Sequence, residues 1–182
     1  MRIPTRSLAG ITVLALLVPL AAACGGSGNG EGEGGETPLI AFRDPASQVS
    51  ISYPSTWQKT SDQPLTFTGV DEYISLEIRP LTGGDVLAAA KTDEASLSTA
   101  NSGYKTVGTI VASKEVKNAA VISYEWNLAK SAVTGKPVHQ RADRYYINLG
   151  DGRVALLTGS SPKTTFDREQ VRDIALALKV TK

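Results

Sequence analysis

Nucleophilic catalysis needs a base beside its nucleophile, and this chain offers one histidine for that task, His139. It lies in Val138-His139-Gln140-Arg141, a stretch that reads as a strand, where alternation leaves its face undecided. Hydroxyls are plentiful, but none sits in a Gly-x-Ser-x-Gly elbow. A carboxylate pair for acid–base work would have to come from Asp71, Glu72, Glu77, Asp143 or Asp151, and Asp71, Glu72 and Asp151 stand in turn-like contexts where forming the turn is their ordinary task. One cysteine and one histidine cannot make a zinc cluster, and Asp143–Asp151 lacks the alternating oxygens of a calcium loop. Gly150-Asp151-Gly152 is a hairpin signal rather than a phosphate loop. The expectation is a protein that is not an enzyme, with no cofactor and no metal. A hydrolase built on His139 is the weakest alternative. Adjacent Tyr145 and Tyr146 must point to opposite faces of a strand, so one should be core and the other could be exposed near Arg141 or Arg144. With His139, Arg141 and Arg144 the exposed ring would make a candidate protein-recognition surface.

Cys24 has a different chemistry, one done to it. Arg2 and Arg6 precede an apolar run from Leu8 to Ala23, and a glycine tract follows the cysteine. A basic start, a short apolar core and small residues are the order of a secretory signal. The run is shorter than the ~20 residues that span a hydrocarbon core. Leu20-Ala21-Ala22-Ala23-Cys24-Gly25 resembles a lipobox, with alanine in the place three before the cysteine where leucine is usual. The resemblance implies cleavage between Ala23 and Cys24, a diacylglycerol on the thiol, and a membrane as the first partner. Two or three acyl chains hold where one is marginal. With no second cysteine the exported domain has no disulfide.

The chain therefore divides into a signal peptide (1–23), a lipidated cysteine with a flexible tether (24–38) and one globular domain (39–182). The tether holds seven glycines with Glu31, Glu33 and Glu36 and lacks the apolar residues that offset ordering entropy. A flexible chain of that length spans roughly 20 Å. Removing residues 1–23 takes away two of the 19 basic residues and none of the 18 acidic ones, leaving 17 and 18. That balance argues against nucleic acid as a partner.

Within the domain, Leu39–Phe42, Val49–Tyr53, Leu65–Thr68 and Tyr73–Arg79 read as strands, and Trp57 as a core aromatic. Asp85–Asn101 is alanine-rich, has an acid in N-cap position and stops before Gly103, which predicts a helix. Lys105–Val116, Ala119–Lys130, Val138–Leu149 and Arg153–Ser160 follow as antiparallel strands, with Tyr124, Trp126 and Leu128 expected together in the core. Val154-Ala155-Leu156-Leu157 is apolar without alternation, as in a strand covered on both faces. Asp167 as N-cap, the staple pair Phe166 and Val171, and the stripe Val171, Ile174, Ala175 and Leu178 predict a C-terminal helix. The sum is an α+β domain on a twisted antiparallel sheet of about six or seven strands.

Three phrases in that order resemble the PsbP-like family: Ile51-Ser52-Tyr53-Pro54 followed by Trp57, the strand Val154–Pro162, and the amphipathic helix Phe166–Leu178 directly after it. The resemblance covers residues 39–182 and implies an α/β/α sandwich. Its members include an extrinsic subunit of photosystem II, a nuclear-import factor and many bacterial lipoproteins, with binding to protein partners as the common thread. Proposed metal-binding histidines of that family are not present as a set here, so photosystem function does not carry over. The layout of signal, lipobox, tether and domain resembles mycobacterial lipoproteins of the LpqN type. The expected function is a non-catalytic binding or accessory module for another envelope protein, lipid-anchored on the outer side of the cytoplasmic membrane. A carrier of lipid or small solute is the main alternative.

Overall fold

The computed structural model describes residues 37–130 and 134–181. The expected signal peptide, its expected cleavage site at Ala23 and Cys24, and the expected tether up to residue 36 lie outside the described residues. The domain begins with β1 (Leu39–Asp44), β2 (Val49–Pro54), β3 (Gln58–Asp62), β4 (Leu65–Thr68) and β5 (Tyr73–Pro80). Helix α1 (Val86–Ala100) follows, then two short strands, β6 (Lys105–Thr106) and β7 (Val111–Ala112). Three long strands come next, β8 (Ala119–Lys130), β9 (Pro137–Asn148) and β10 (Arg153–Pro162). The chain closes with α2 (Arg168–Leu176) and β11 (Lys179–Val180).

The strands form two antiparallel sheets rather than one. The main sheet is eight-stranded, in the order β3-β4-β5-β10-β9-β8-β6, with β7 also on β8. A three-stranded sheet, β1-β2-β11, packs separately. One strand of each sheet carries no readable pattern. β3 is Gln-Lys-Thr-Ser-Asp, polar throughout, and β11 is too short to show a period. The expected strand over Lys105–Val116 is two short strands separated by Gly108, whose φ of 85° breaks the extended path.

Helix α1 lies on one face of the main sheet, against β7, β8 and β9. Beneath it Ala90 and Leu97 meet Ala120, Ile122, Tyr124, Trp126, Tyr146 and Leu156. The other face is covered by α2 and the small sheet, which bring Val171, Ile174, Val49 and Ile51 onto Phe67, Ile74, Tyr145 and Leu157. Aromatic rings join the two sheets. Tyr53 of β2 stacks on Phe67 of β4 at 3.9 Å between centroids, and Phe42 of β1 meets the same ring edge-on at 5.5 Å. β10 is buried from both sides, Val154 and Leu156 toward α1, Ala155 and Leu157 toward α2. Leu128 is not in the core with Trp126. A register shift between Asn127 and Lys130 breaks the alternation, and Leu128 is 48% exposed.

Both helices are capped as their sequences require. Asp85 accepts from the N–H groups of Leu87 (2.8 Å) and Ala88 (3.2 Å), and Asp167 from that of Gln170 (3.0 Å). No helix among the described residues is long and apolar enough to cross a membrane.

Candidate functional site

β9 carries all five residues of the expected recognition surface, and the sheet separates them. His139, Arg141 and Tyr145 point toward α2, while Arg144 and Tyr146 point toward α1. Neither tyrosine is available to a partner: Tyr145 is 3% exposed and Tyr146 1%. Alternation does place them on opposite faces, but both faces of β9 are covered, so the ring that could have been exposed is core as well. Tyr146 donates its hydroxyl to Asp93 Oδ2 of α1 at 2.7 Å. Arg144 binds the same oxygen through Nη1 (3.1 Å) and Thr158 Oγ1 through Nε (2.8 Å), and Arg79 Nη1 lies 3.5 Å from Asp93 Oδ1. Asp93 is thus the polar pin of α1, and burial together with its hydrogen bond to Asp93 pushes the Tyr146 phenol up.

On the opposite face Asp143 has no exposed surface. Its Oδ2 accepts from Arg168 Nε at 2.8 Å, and Arg168 also donates to Ser123 Oγ at 2.8 Å. Arg141 lies over the Phe166 ring, 5.4 Å from its centre. His139 is exposed, and its Nδ1 is 2.8 Å from Asn127 Oδ1, which accepts from it. Two of the other candidate carboxylates are engaged with cations. Glu77 holds Arg79 through both oxygens (2.7 and 2.8 Å), and Asp151 holds Arg153 at 2.6 Å. Glu72 is pushed up by burial and then by its neighbours Asp167 and Asp71. No three His, Cys, Asp or Glu among the described residues converge as metal ligands.

A broad concavity opens elsewhere, between the two sheets, with a volume of about 830 Å³. Leu65, Leu76 and Ile78 give it an apolar floor, and Asp44, Asp62, Glu77 and Arg153 charge its lining. Its walls are turns. Asp44 holds the β1–β2 turn by accepting from the N–H groups of Ala46 and Ser47 (3.2 Å each) and from the Ser47 hydroxyl, which lowers its carboxyl below the usual range. Arg153 ties that turn to the β9–β10 hairpin, donating from Nη1 to the Ser47 carbonyl at 2.6 Å while Asp151 holds its other nitrogens. Such a volume and mixture of floor and rim suit a ligand or a protein segment. Sequence reasoning did not find this groove. Its residues come from turns and strands up to 109 positions apart, from Asp44 to Arg153, and of the charged ones only Glu77 stood out in the sequence, as a candidate carboxylate.

No family model matches the chain, and no curated protein does. The likeness is in three dimensions, and it is to the PsbP-like α+β fold: antiparallel sheet, two helices, the second near the C-terminus. Cyanobacterial PsbP (CyanoP) from Synechocystis sp. PCC 6803 matches 87% of this chain over 98% of its own, at 14% identity and a TM-score of 0.50. The Ran-binding protein Mog1p of Saccharomyces cerevisiae matches 80% over 97% of its own, at 10% identity and a TM-score of 0.53. A Bacteroides thetaiotaomicron VPI-5482 structure matches 78% at 12% identity and a TM-score of 0.50, and this chain spans about half of its length, 48%. At such identities the likeness establishes the fold and nothing finer.

Proposed function

We propose that this protein is a lipid-anchored, extracytoplasmic binding module without catalytic chemistry, whose partner is another protein of the cell envelope. The observation that carries the reading is the open groove of about 830 Å³ between the sheets, with an apolar floor and a charged lining. A nucleophile beside a base is the mark of the hydrolase alternative, and His139 spends its Nδ1 on an amide side chain. A Ran-binding protein has the same fold, so the scaffold is compatible with holding a protein partner. The lipobox-like stretch before Cys24 and the glycine-rich tether supply the location. The groove's volume also suits a small solute, which keeps the carrier reading second.

A photo-cross-linking residue at Ala46 or Gln63, on the groove, tests the binding reading in living cells. Discrete protein adducts are expected there and not from the same residue at Thr99 on exposed α1. A lack of protein adducts at both groove positions rejects it in favour of the carrier. Replacing Cys24 by alanine is expected to move the protein from the membrane fraction to the medium, and retention in the membrane fraction rejects the anchor.

A further inference from the structure

The floor of the groove contains a strand edge without a neighbour. β10 accompanies β5 along its whole length, from Tyr73 opposite Ser160 to Pro80 opposite Arg153. On the other side β4 is shorter and stops at Leu65, opposite Leu76. Among the described residues, Glu77–Pro80 therefore has a paired strand on one side only. Glu77 and Ile78 of this segment line the groove beside Leu65 and Leu76.

The direction of the backbone groups follows from hydrogen bonds at either end. In an antiparallel ladder successive residues turn their N–H and C=O to alternate neighbours. The Glu72 carbonyl accepts from Gly69 N–H at 2.8 Å, on the β4 side, so Ile74, Leu76 and Ile78 face that side too. Leu81 N–H donates to the Gly152 carbonyl at 2.8 Å, on the β10 side, so Arg79 and Glu77 face β10. The two ends agree. Ile78 directs its N–H and C=O to where β4 would have continued, and Pro80 adds a carbonyl with no competing donor.

We propose that the groove takes an extended peptide segment of a partner protein, which joins β5 as a short strand through Ile78 and sets basic side chains against the rim and small apolar ones on the floor. This rests on the binding-module reading above and states the chemistry of what is bound. Strand addition uses main-chain bonds for affinity and alternate side chains for selectivity. The sign of the partner's charge follows from the lining, which carries Asp44, Asp62, Glu77 and Arg153: Asp62 is paired with Lys59, Glu77 with Arg79 and Arg153 with Asp151, so the excess charge is the negative one of Asp44. The chain's own tether is a poor occupant, because Glu31, Glu33 and Glu36 are its only charged residues.

The test uses isotope-labelled full-length lipoprotein in detergent and a synthetic heptapeptide, Thr-Val-Lys-Val-Lys-Val-Thr, blocked at both ends. Hydrogen exchange at the Ile78 amide is expected to slow by about tenfold or more when the peptide binds. Two backbone N-methylated versions, methylated at alternate positions, are expected to differ, one losing about tenfold in affinity and the other binding as the parent does. A version with glutamate for lysine is expected to bind about tenfold more weakly. Ile78→Pro removes the groove-facing donor without cutting the ladder to β10, and it is expected to weaken the parent peptide similarly. Unchanged Ile78 exchange at millimolar peptide overturns the proposal, as do two methylated versions that bind alike. Protection of Ile78 without peptide, together with dimers in sedimentation, overturns it in favour of a second copy as the occupant. Protein cross-links from the groove without Ile78 protection reject strand addition alone. Ile78 protection without cross-links supports strand addition and rejects the envelope partner.

Discussion

A carboxylate with no exposed surface stands in the middle of β9, and a single arginine from the start of α2 answers it. The pair is asymmetric: Asp143 is wholly buried, while the Arg168 side chain is 57% exposed. Removing the exposed partner strands the buried one. Arg168→Ala should therefore cost about 2–3 kcal/mol, below the range for fully buried pairs because solvent already screens the guanidinium. Chemical denaturation of the two proteins measures it, and a cost near zero would show that Asp143 is satisfied by other means. Replacing both members, Asp143→Leu with Arg168→Ala, should recover most of the loss, since no buried charge is then left alone.

At the scale of elements, the approach of α2 to the sheet is set by a side chain that is not there. Gly159 of β10 has no side chain, and a Cβ built on it would lie 2.4 Å from Val171 Cγ2 and 2.9 Å from Ile74 Cδ1. Gly159→Ala should destabilise by about 1–3 kcal/mol through displacement of the helix. Adding Val171→Ala to it should return part of that, as thermal unfolding of the single and double variants would reveal. α2 itself was legible because cap, staple and apolar stripe are all local: Asp167, Phe166 and Val171 announce it within a few residues. β3 and β11 were not, since pairing with β4 and β2 rather than any residue pattern makes them strands. The candidate site fared worse. The apolar run at Val154–Leu157 does say that β10 is covered on both faces, and β9 lies beside it. Carrying that burial across to Tyr145 and Tyr146 requires knowing which strands pair. The groove requires the whole sheet order, because Asp44, Asp62, Glu77 and Arg153 meet only through it.

For the molecule as a whole, buried phenols govern its behaviour in alkali. Burial pushes Tyr124 and Tyr145 up to about 12 and raises Tyr146 as well. An unfolded tyrosine ionises near pH 10, so between about 10 and 12 the unfolded chain releases protons that the folded chain keeps. Stability contributed by these groups is complete below about pH 10 and is lost as the pH rises through 12, on the order of 2 kcal/mol for each tyrosine. Urea midpoints at about pH 8 and about pH 11 should fall accordingly, and equal midpoints would contradict the burial of these rings. The small sheet has a mechanical consequence. β1 begins at Leu39, where the tether ends, and its far end leads into Ala46 and Ser47 at the groove. Between those points β1 is matched to β2 from Leu39 opposite Pro54 to Asp44 opposite Val49. With Cys24 held in a membrane and a partner seated in the groove, as proposed above, tension along β1 would strain its bonds to β2 side by side. A strand loaded in shear gives way only when several bonds fail together, whereas one that is peeled loses them singly, so under the proposed anchor an entry at Leu39 would let the domain be pulled on without unravelling.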